Sequence, residues 1–493
     1  MIIFDPLSCN KNGCLQLITA GYFVVGTGLS GLSFADTIIS GSDATVAMID
    51  FNAAPGGYWQ TSHDYMRLDT PNLMAGLNGV ALARDRGRKI QKRVQPTLTT
   101  RDMQAYFQRA MTEHLLESDR VQYFSDCYHL GSGIAQAVGW NTRVHFKANR
   151  KIVDATQCWH RTALSHIPCF QAARDVMVAT PRDFSALWSL GPHMYEKYCV
   201  IGAGSTGVET VSHLLELGVP ADQICWVKPR DAWYWNADQL APSDWLEVLE
   251  IIADTDALSQ IGLALERSGH ILRVDPDVTP MKFHGALKSP EQLNAVRHIH
   301  HVVRKGHVHH LTAKGMFLEQ GAEPMPKRTL YIDCTASRVA TRSQAPVFDH
   351  DTINLQMLQM ASAGFSAAMI AAIEMLAIPE DEKATLCQPL SHPDYPTDIA
   401  VLLKQCFENQ KLWLAQPALR VWLSKNQIGI TSALLSALTR PSDVQISAEA
   451  SYRRILPRAL KALGAQIERD ALFDWSEFSG PSPNRSPSVR GPE

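Results

Sequence analysis

The sequence predicts an α/β fold with two similar strand–turn–helix units and a helical C-terminal region. Three observations predict it. Residues 22 to 38, YFVVGTGLSGLSFADTI, run from an apolar stretch through a glycine-rich turn into helical spacing. Residues 198 to 218, YCVIGAGSTGVETVSHLLELG, repeat that grammar. Residues 381 to 475 change character: TDIAVLLKQCFENQKLWLAQPALRVWL and RRILPRALKAL place apolar residues at helical intervals.

The first unit opens with YFVV, short and apolar enough for a buried parallel strand. Gly26, Gly28 and Gly31 follow in G-x-G-x-x-G spacing. The first glycine permits the tight turn, the second lets a pyrophosphate approach the backbone, and the third lets helix and strand pack closely. The phosphate then sits at the helix N-terminus, where free N–H groups and the helix dipole favour an anion. TVAMID supplies the next strand and ends in Asp50, placed to accept from a ribose hydroxyl.

In the second unit YCVI is the strand, and Gly202, Gly204 and Gly207 are the glycines, with Ser205 and Thr206 between them. VETVSHLLELG reads as an amphipathic helix closed by Gly218. Its next strand, QICWV, runs into Lys228, Pro229 and Arg230 with no acid before Asp231. Two cations there suit a 2′-phosphate, which a carboxylate would repel. The pattern therefore implies two different dinucleotides: FAD on the first unit and NADPH on the second.

Bulk properties narrow the class. The 493 residues suffice for two or three domains. A net charge of −3 offers no basic field for nucleic acid. No apolar run reaches the length of a membrane span, and MIIFDPLSCNKNGC does not read as a secretory signal, so a cytoplasmic protein is expected. The 10 cysteines are scattered without a C-x-x-C, as expected of reduced thiols with no metal site.

After Asp50 comes PGGYW, with Gly56, Gly57, Tyr58 and Trp59, and then HDYMRLDTPNLMAGL. This order resembles the two-dinucleotide-domain flavoproteins, especially the class B flavin monooxygenases, over residues 20 to 370. The resemblance implies an NADPH domain inserted in the FAD domain. Asp154, Ala155 and Thr156 would mark the exit, and Asp333, Cys334 and Thr335 the return. The expected boundaries are 1–165 and 330–380 for the FAD domain, 190–325 for the NADPH domain, 381–475 for the helical region and 476–493 for a disordered tail. Gln157 and Ala336 replace the usual glycines, and the F-x-G-x-x-x-H-x-x-x-F/Y/W fingerprint is absent, as in a divergent member.

The resemblance also implies a reaction. NADPH would reduce FAD, and a flavin C4a-(hydro)peroxide would pass one oxygen atom to a small organic substrate. Arg67 and Asp69 in YMRLDTP are the catalytic candidates, Asp69 anchoring the loop and Arg67 supplying positive charge. Tyr58 and Trp59 would pack on FAD. A helix starting near Ser366 would point its N-terminus at the flavin pyrimidine. An oxidoreductase without oxygenation, and a non-catalytic nucleotide-binding protein, remain alternatives. The aromatic segment RDAWYWNADQLAPSDW, residues 230 to 245, either walls the substrate site or packs between domains. His298, His300, His301, His307, His309 and His310 read as a solvent-facing hairpin turning at Lys305 and Gly306. The helical region caps the pocket or makes a dimer contact.

Overall fold

The computed structural model describes residues 16–70, 75–82, 98–139, 143–156, 168–191, 194–335, 345–360, 362–426, 428–429 and 443–471. The expected tail, Gln157 and Ala336 lie outside them.

The first unit contains β1 (Gln16–Val25), α1 (Leu29–Gly41), β2 (Val46–Ile49), α2 (Thr100–Ala110), β3 (Val121–Phe124), β4 (Cys127–Gly131), β5 (Ile134–Ala137) and β6 (Arg143–Asp154). The second contains β7 (Gln171–Ala172), β8 (Met177–Ala179), α3 (Pro181–Leu190), β9 (Lys197–Ile201), α4 (Ser205–Glu216), β10 (Ile224–Val227), β11 (Ala232–Asn236), α5 (Pro242–Asp254), α6 (Leu258–Arg267), β12 (Ile271–Arg273), β13 (Lys282–Lys288), α7 (Pro290–Val296), β14 (Val302–Val303), β15 (Val308–Thr312), β16 (Gly315–Leu318), β17 (Gly321–Pro324) and β18 (Thr329–Asp333). The chain re-enters the first unit with β19 (Phe348–Asp349), β20 (Thr352–Asn354) and α8 (Ala363–Glu374). It finishes in α9 (Glu380–Leu386), α10 (Asp398–Ala415), α11 (Pro417–Lys425) and α12 (Asp443–Ala471).

Each unit is built on five parallel strands. The first runs β3-β2-β1-β6-β20, and the second runs β14-β10-β9-β18-β8. The central strands are buried on both faces, so they read as unbroken apolar runs. Antiparallel strands lie between β3 and β6 in the first unit (β4 and β5) and between β14 and β18 in the second (β15 to β17). Helices cover one face of each parallel sheet and antiparallel strands the other, and the second unit lies between parts of the first in the chain.

Two boundaries differ from expectation. Thr329–Asp333 is a strand of the second sheet, and the chain returns to the first with β19 and β20. Asp333 therefore belongs to the second unit, where it copies Asp154. Each Asp Oδ1 accepts from the N–H and hydroxyl of the Thr two residues on. Ala155 N–H donates to Val25 O, and Cys334 N–H to Ile201 O. The D-A-T and D-C-T turns are thus equivalent parts of a repeated unit. The second unit also begins before residue 190, because β7 and β8 pair within it.

The expected histidine hairpin is not one. β14 pairs with β10 in one sheet, and β15 pairs with β16 and β7 in another. Gly306, at φ 80°, turns the chain between the two sheets. Described residues contain no cluster of metal-binding side chains and no helix long and apolar enough to cross a membrane.

Candidate active site

The two glycine turns fold as the spacing predicts. Gly26 and Gly202 have φ of 102° and 126°, open to glycine and strained for other residues. A Cβ on Gly31 would stand 2.0 Å from the Gly26 carbonyl oxygen, and one on Gly207 2.1 Å from that of Gly202. Helix and strand approach too closely for any side chain there. Gly28 and Gly204 are the N-caps of α1 and α4, and neither receives a side-chain cap bond. The first-turn N–H groups are left for an anion.

The surroundings of the turns differ. A Cβ on Gly204 would meet nothing within 4 Å, whereas one on Gly28 would meet Gly57 Cα at 3.6 Å. Gly57, at φ 56°, lies over the first turn, and its own Cβ would reach Gly28 Cα at 2.9 Å. Gly56 N–H donates to Thr27 O. Both cradles thus have backbone exposed where a pyrophosphate would approach, and the P-G-G turn helps shape the first.

Asp50 is more heavily engaged than its sequence position suggests. It is buried. Oδ2 accepts from Thr27 N (2.6 Å) and Thr27 Oγ1 (2.8 Å), and Oδ1 from Asn52 N (2.8 Å) and Asn52 Nδ2 (2.9 Å). Four donors fill a carboxylate's capacity. A ribose hydroxyl must replace one of them, and the Asn52 amide and Thr27 hydroxyl are the side-chain donors able to swing aside.

The second turn is held by aromatic donors. Trp226 Nε1 donates to Gly202 O (2.8 Å), and Tyr234 OH to Ala203 O (2.6 Å). Beyond β10, Lys228 is 2% exposed. It ion-pairs with Asp231 and lies 4.9 Å from the Trp226 ring centre. Burial lowers its pKa, with Asp231 opposing. Lys228 is therefore not a free partner for a phosphate. Arg230 is half-buried and makes no ion pair among the described residues. Arg304, just after β14, reaches Asp231 (Nε–Oδ2 2.8 Å) and Asp275 (Nη2–Oδ2 2.7 Å).

The expected Arg67–Asp69 unit separates. Arg67 is 42% exposed and, among the described residues, forms an ion pair only with Glu216, at 3.8 Å. Asp69 instead holds Lys288, a fully buried cation at the end of β13. Lys288 Nζ also donates to Glu209 Oε1 (2.8 Å), and Gln292 Nε2 to Asp69 Oδ1 (2.7 Å). Glu209 accepts from Ser205 Oγ (3.0 Å) and pairs with His63 Nε2 (3.1 Å). One buried ammonium thus lies between a carboxylate from each unit.

Electrostatics follow that geometry. Burial raises Asp69 more than Lys288 lowers it. Burial would raise Glu209 as well, but Lys288 and His63 hold it down at about 2. Burial would lower Lys288, and the two carboxylates override this and raise it. Lys288 is thus held charged, and Glu209 is the more acidic of its two carboxylate partners.

Other candidates are placed by packing. Trp59 is 3% exposed, in the core that also holds Phe107, so it is a core aromatic. Tyr58 is half-buried beside it, with ring centres 5.3 Å apart. Helix α8 starts at Ala363, three residues before Ser366. Ser366 Oγ donates to Ser362 O and accepts from the Leu358 and Gln359 N–H groups. It fixes the turn before α8. Trp233, Trp235 and Trp245 pack beneath α10 and α12, which makes the aromatic segment an internal packing element.

No protein-family model matches the chain. The uncharacterized protein Rv2000 of Mycobacterium tuberculosis is 31% identical over 466 residues, 92% of this chain and 86% of the relative. The uncharacterized protein Mb2023 of Mycobacterium bovis matches to the same extent. The chain belongs to the family of these mycobacterial proteins. Among solved structures, a mutant flavin monooxygenase from Stenotrophomonas maltophilia is 17% identical, with a TM-score of 0.43 over 72% of this chain and 96% of that one. OTEMO in complex with FAD and NADP is 12% identical, with a TM-score of 0.44 over 72% and 84%. The fold assignment stands on the two parallel sheets themselves.

Sequence reading missed Glu209, Lys288, Gln292 and Arg304. A signal existed for Glu209, a carboxylate two residues after Gly207 on the helix that opens at the second cradle. The other three come from the distant segments 288–292 and 304, and nothing local marks them.

Proposed function

We propose that this protein is an FAD-dependent, NADPH-consuming cytoplasmic oxidoreductase that inserts one atom of molecular oxygen into a small organic substrate. The observation that carries the reading is the pair of uncapped glycine cradles joined by Lys288, which is gripped by Asp69 from one unit and Glu209 from the other.

Gly26, Gly28, Gly31 and Gly57 would hold the FAD pyrophosphate, with Asp50 at the ribose. Gly202, Gly204, Ser205, Thr206 and Gly207 would hold that of NADPH. Arg230 alone would take the phosphate-binding role expected of Lys228 and Arg230 together, since Lys228 and Arg304 are both paired with Asp231. Held there, the two cofactors would supply hydride transfer and oxygen activation, chemistry that the chain's own side chains lack. Lys288, removed from water, ties the two units together between Asp69 and Glu209. Asp69 and Gln292 orient it. Asp333 is a turn-forming residue in this reading, Ser366 fixes the start of α8, and Arg67 lies at the periphery.

The test is NADPH oxidation by FAD-loaded protein across ketones, amines and sulfides, with hydrogen peroxide measured alongside. The reading expects one or more substrates to yield oxygenated product matching the NADPH consumed. NADPH consumption that yields only hydrogen peroxide, with every substrate unchanged, contradicts oxygen insertion. No NADPH consumption by flavin-loaded protein contradicts the whole reading.

A further inference from the structure

We propose that Phe51 and Tyr128 form the stacking platform for the adenine base of the dinucleotide held on the first turn. The inference rests on the FAD reading above and adds the residues that separate FAD from shorter flavins.

Two exposed aromatic rings lie together at the ligand-facing edge of the first sheet. Phe51 is 54% exposed and Tyr128 44% exposed. Their ring centres lie 4.9 Å apart with planes at 50°. They sit outside the carboxyl ends of the parallel strands, where this architecture receives ligands. Phe51 directly follows Asp50, and Tyr128 is the second residue of β4, just past the corner that follows β3.

The backbone fixes this arrangement. Cys127 N–H donates to Asp50 O (2.8 Å), Asp126 N–H to Asn52 O (3.3 Å), and Val138 N–H to Asp126 O (2.6 Å). Asp126 holds φ 54° to make the corner. Phosphate at Gly28 and ribose at Asp50 leave the base to continue past β2, toward residue 51 and its neighbour across the corner. An aromatic face there offers stacking that tolerates no loss of the base. FMN and riboflavin have no adenine, so they gain nothing from it.

The test titrates flavin-free protein with FAD and with FMN, reading flavin fluorescence, in wild type, Phe51→Ala, Tyr128→Ala and the double variant. Thermal melting confirms folding, which exposed side chains should hardly affect. Each single variant should bind FAD roughly tenfold more weakly, within the range of one base–aromatic stack, while FMN binding stays unchanged. Phe51→Tyr should restore FAD binding. Unchanged FAD affinity in the double variant, or equal weakening of FMN, overturns the platform and leaves the FAD reading standing. Wild type that binds neither flavin overturns both.

Discussion

The two glycine turns share a backbone and differ in what surrounds them. At the first, Gly57 covers Gly28, and Asp50 is saturated by Thr27 and Asn52. At the second, Gly204 faces open space, while Trp226 and Tyr234 hold the turn from behind. A glycine motif specifies the turn, because its causes are local sterics. It does not specify which charges beside the turn are free, because their partners arrive from elsewhere in the chain.

The largest expected effect breaks the likeness between the turns. Gly31→Ala and Gly207→Ala each drive a methyl into a carbonyl about 2 Å away. We expect roughly 5 kcal/mol of destabilisation from either, seen as loss of folded protein in urea titration. Gly204→Ala has room and should cost under about 1 kcal/mol. It should still weaken NADPH binding, because the methyl enters the cradle. Equal stability loss at Gly204 and Gly207 would contradict this contrast.

Next comes the cation joining the turns. Lys288→Ala leaves Asp69 and Glu209 buried without a counter-charge and should cost about 3–4 kcal/mol. Lys288→Ala combined with Asp69→Asn and Glu209→Gln should recover much of that loss. The pH dependence follows from Glu209. Its folded pKa, about 2, lies below its ordinary 4.5. Its stabilisation is therefore complete above pH 4.5 and is lost as pH falls toward 2, amounting to about 3 kcal/mol. Glu209→Gln should flatten that limb in acid titrations followed by circular dichroism.

A smaller effect concerns the phosphate. Arg230→Ala should weaken NADPH roughly tenfold, about 1.4 kcal/mol, and leave NADH nearly unchanged in calorimetric titration. Lys228→Met should lower stability and leave the NADPH-to-NADH ratio alone, since Lys228 is spent on Asp231. The reverse pattern would return Lys228 to the phosphate.

Much of the fold was legible from residues 22–50 and 198–227, where apolar runs and glycine spacing act within a few residues of one another. The D-A-T and D-C-T turns were also visible, but their equivalence was not. Asp333 looked like a re-entry point because strand order is set by pairing, which neighbouring residues do not record. The site was less legible for the same reason. Asp69 meets Lys288 across 219 positions of chain. Arg67, two residues from Asp69, had seemed its natural companion, yet it lies exposed beside Glu216. Ser366 was found near the right helix, but its hydroxyl is claimed by the turn before it.

Mixing FAD-loaded protein with NADPH under anaerobic conditions, and following the flavin absorbance, tests most directly whether the two turns serve one electron path. The account predicts rapid bleaching by NADPH, slowed in Gly204→Ala and preserved in Arg67→Ala. Flavin that binds tightly yet keeps its oxidised spectrum in excess NADPH would contradict it.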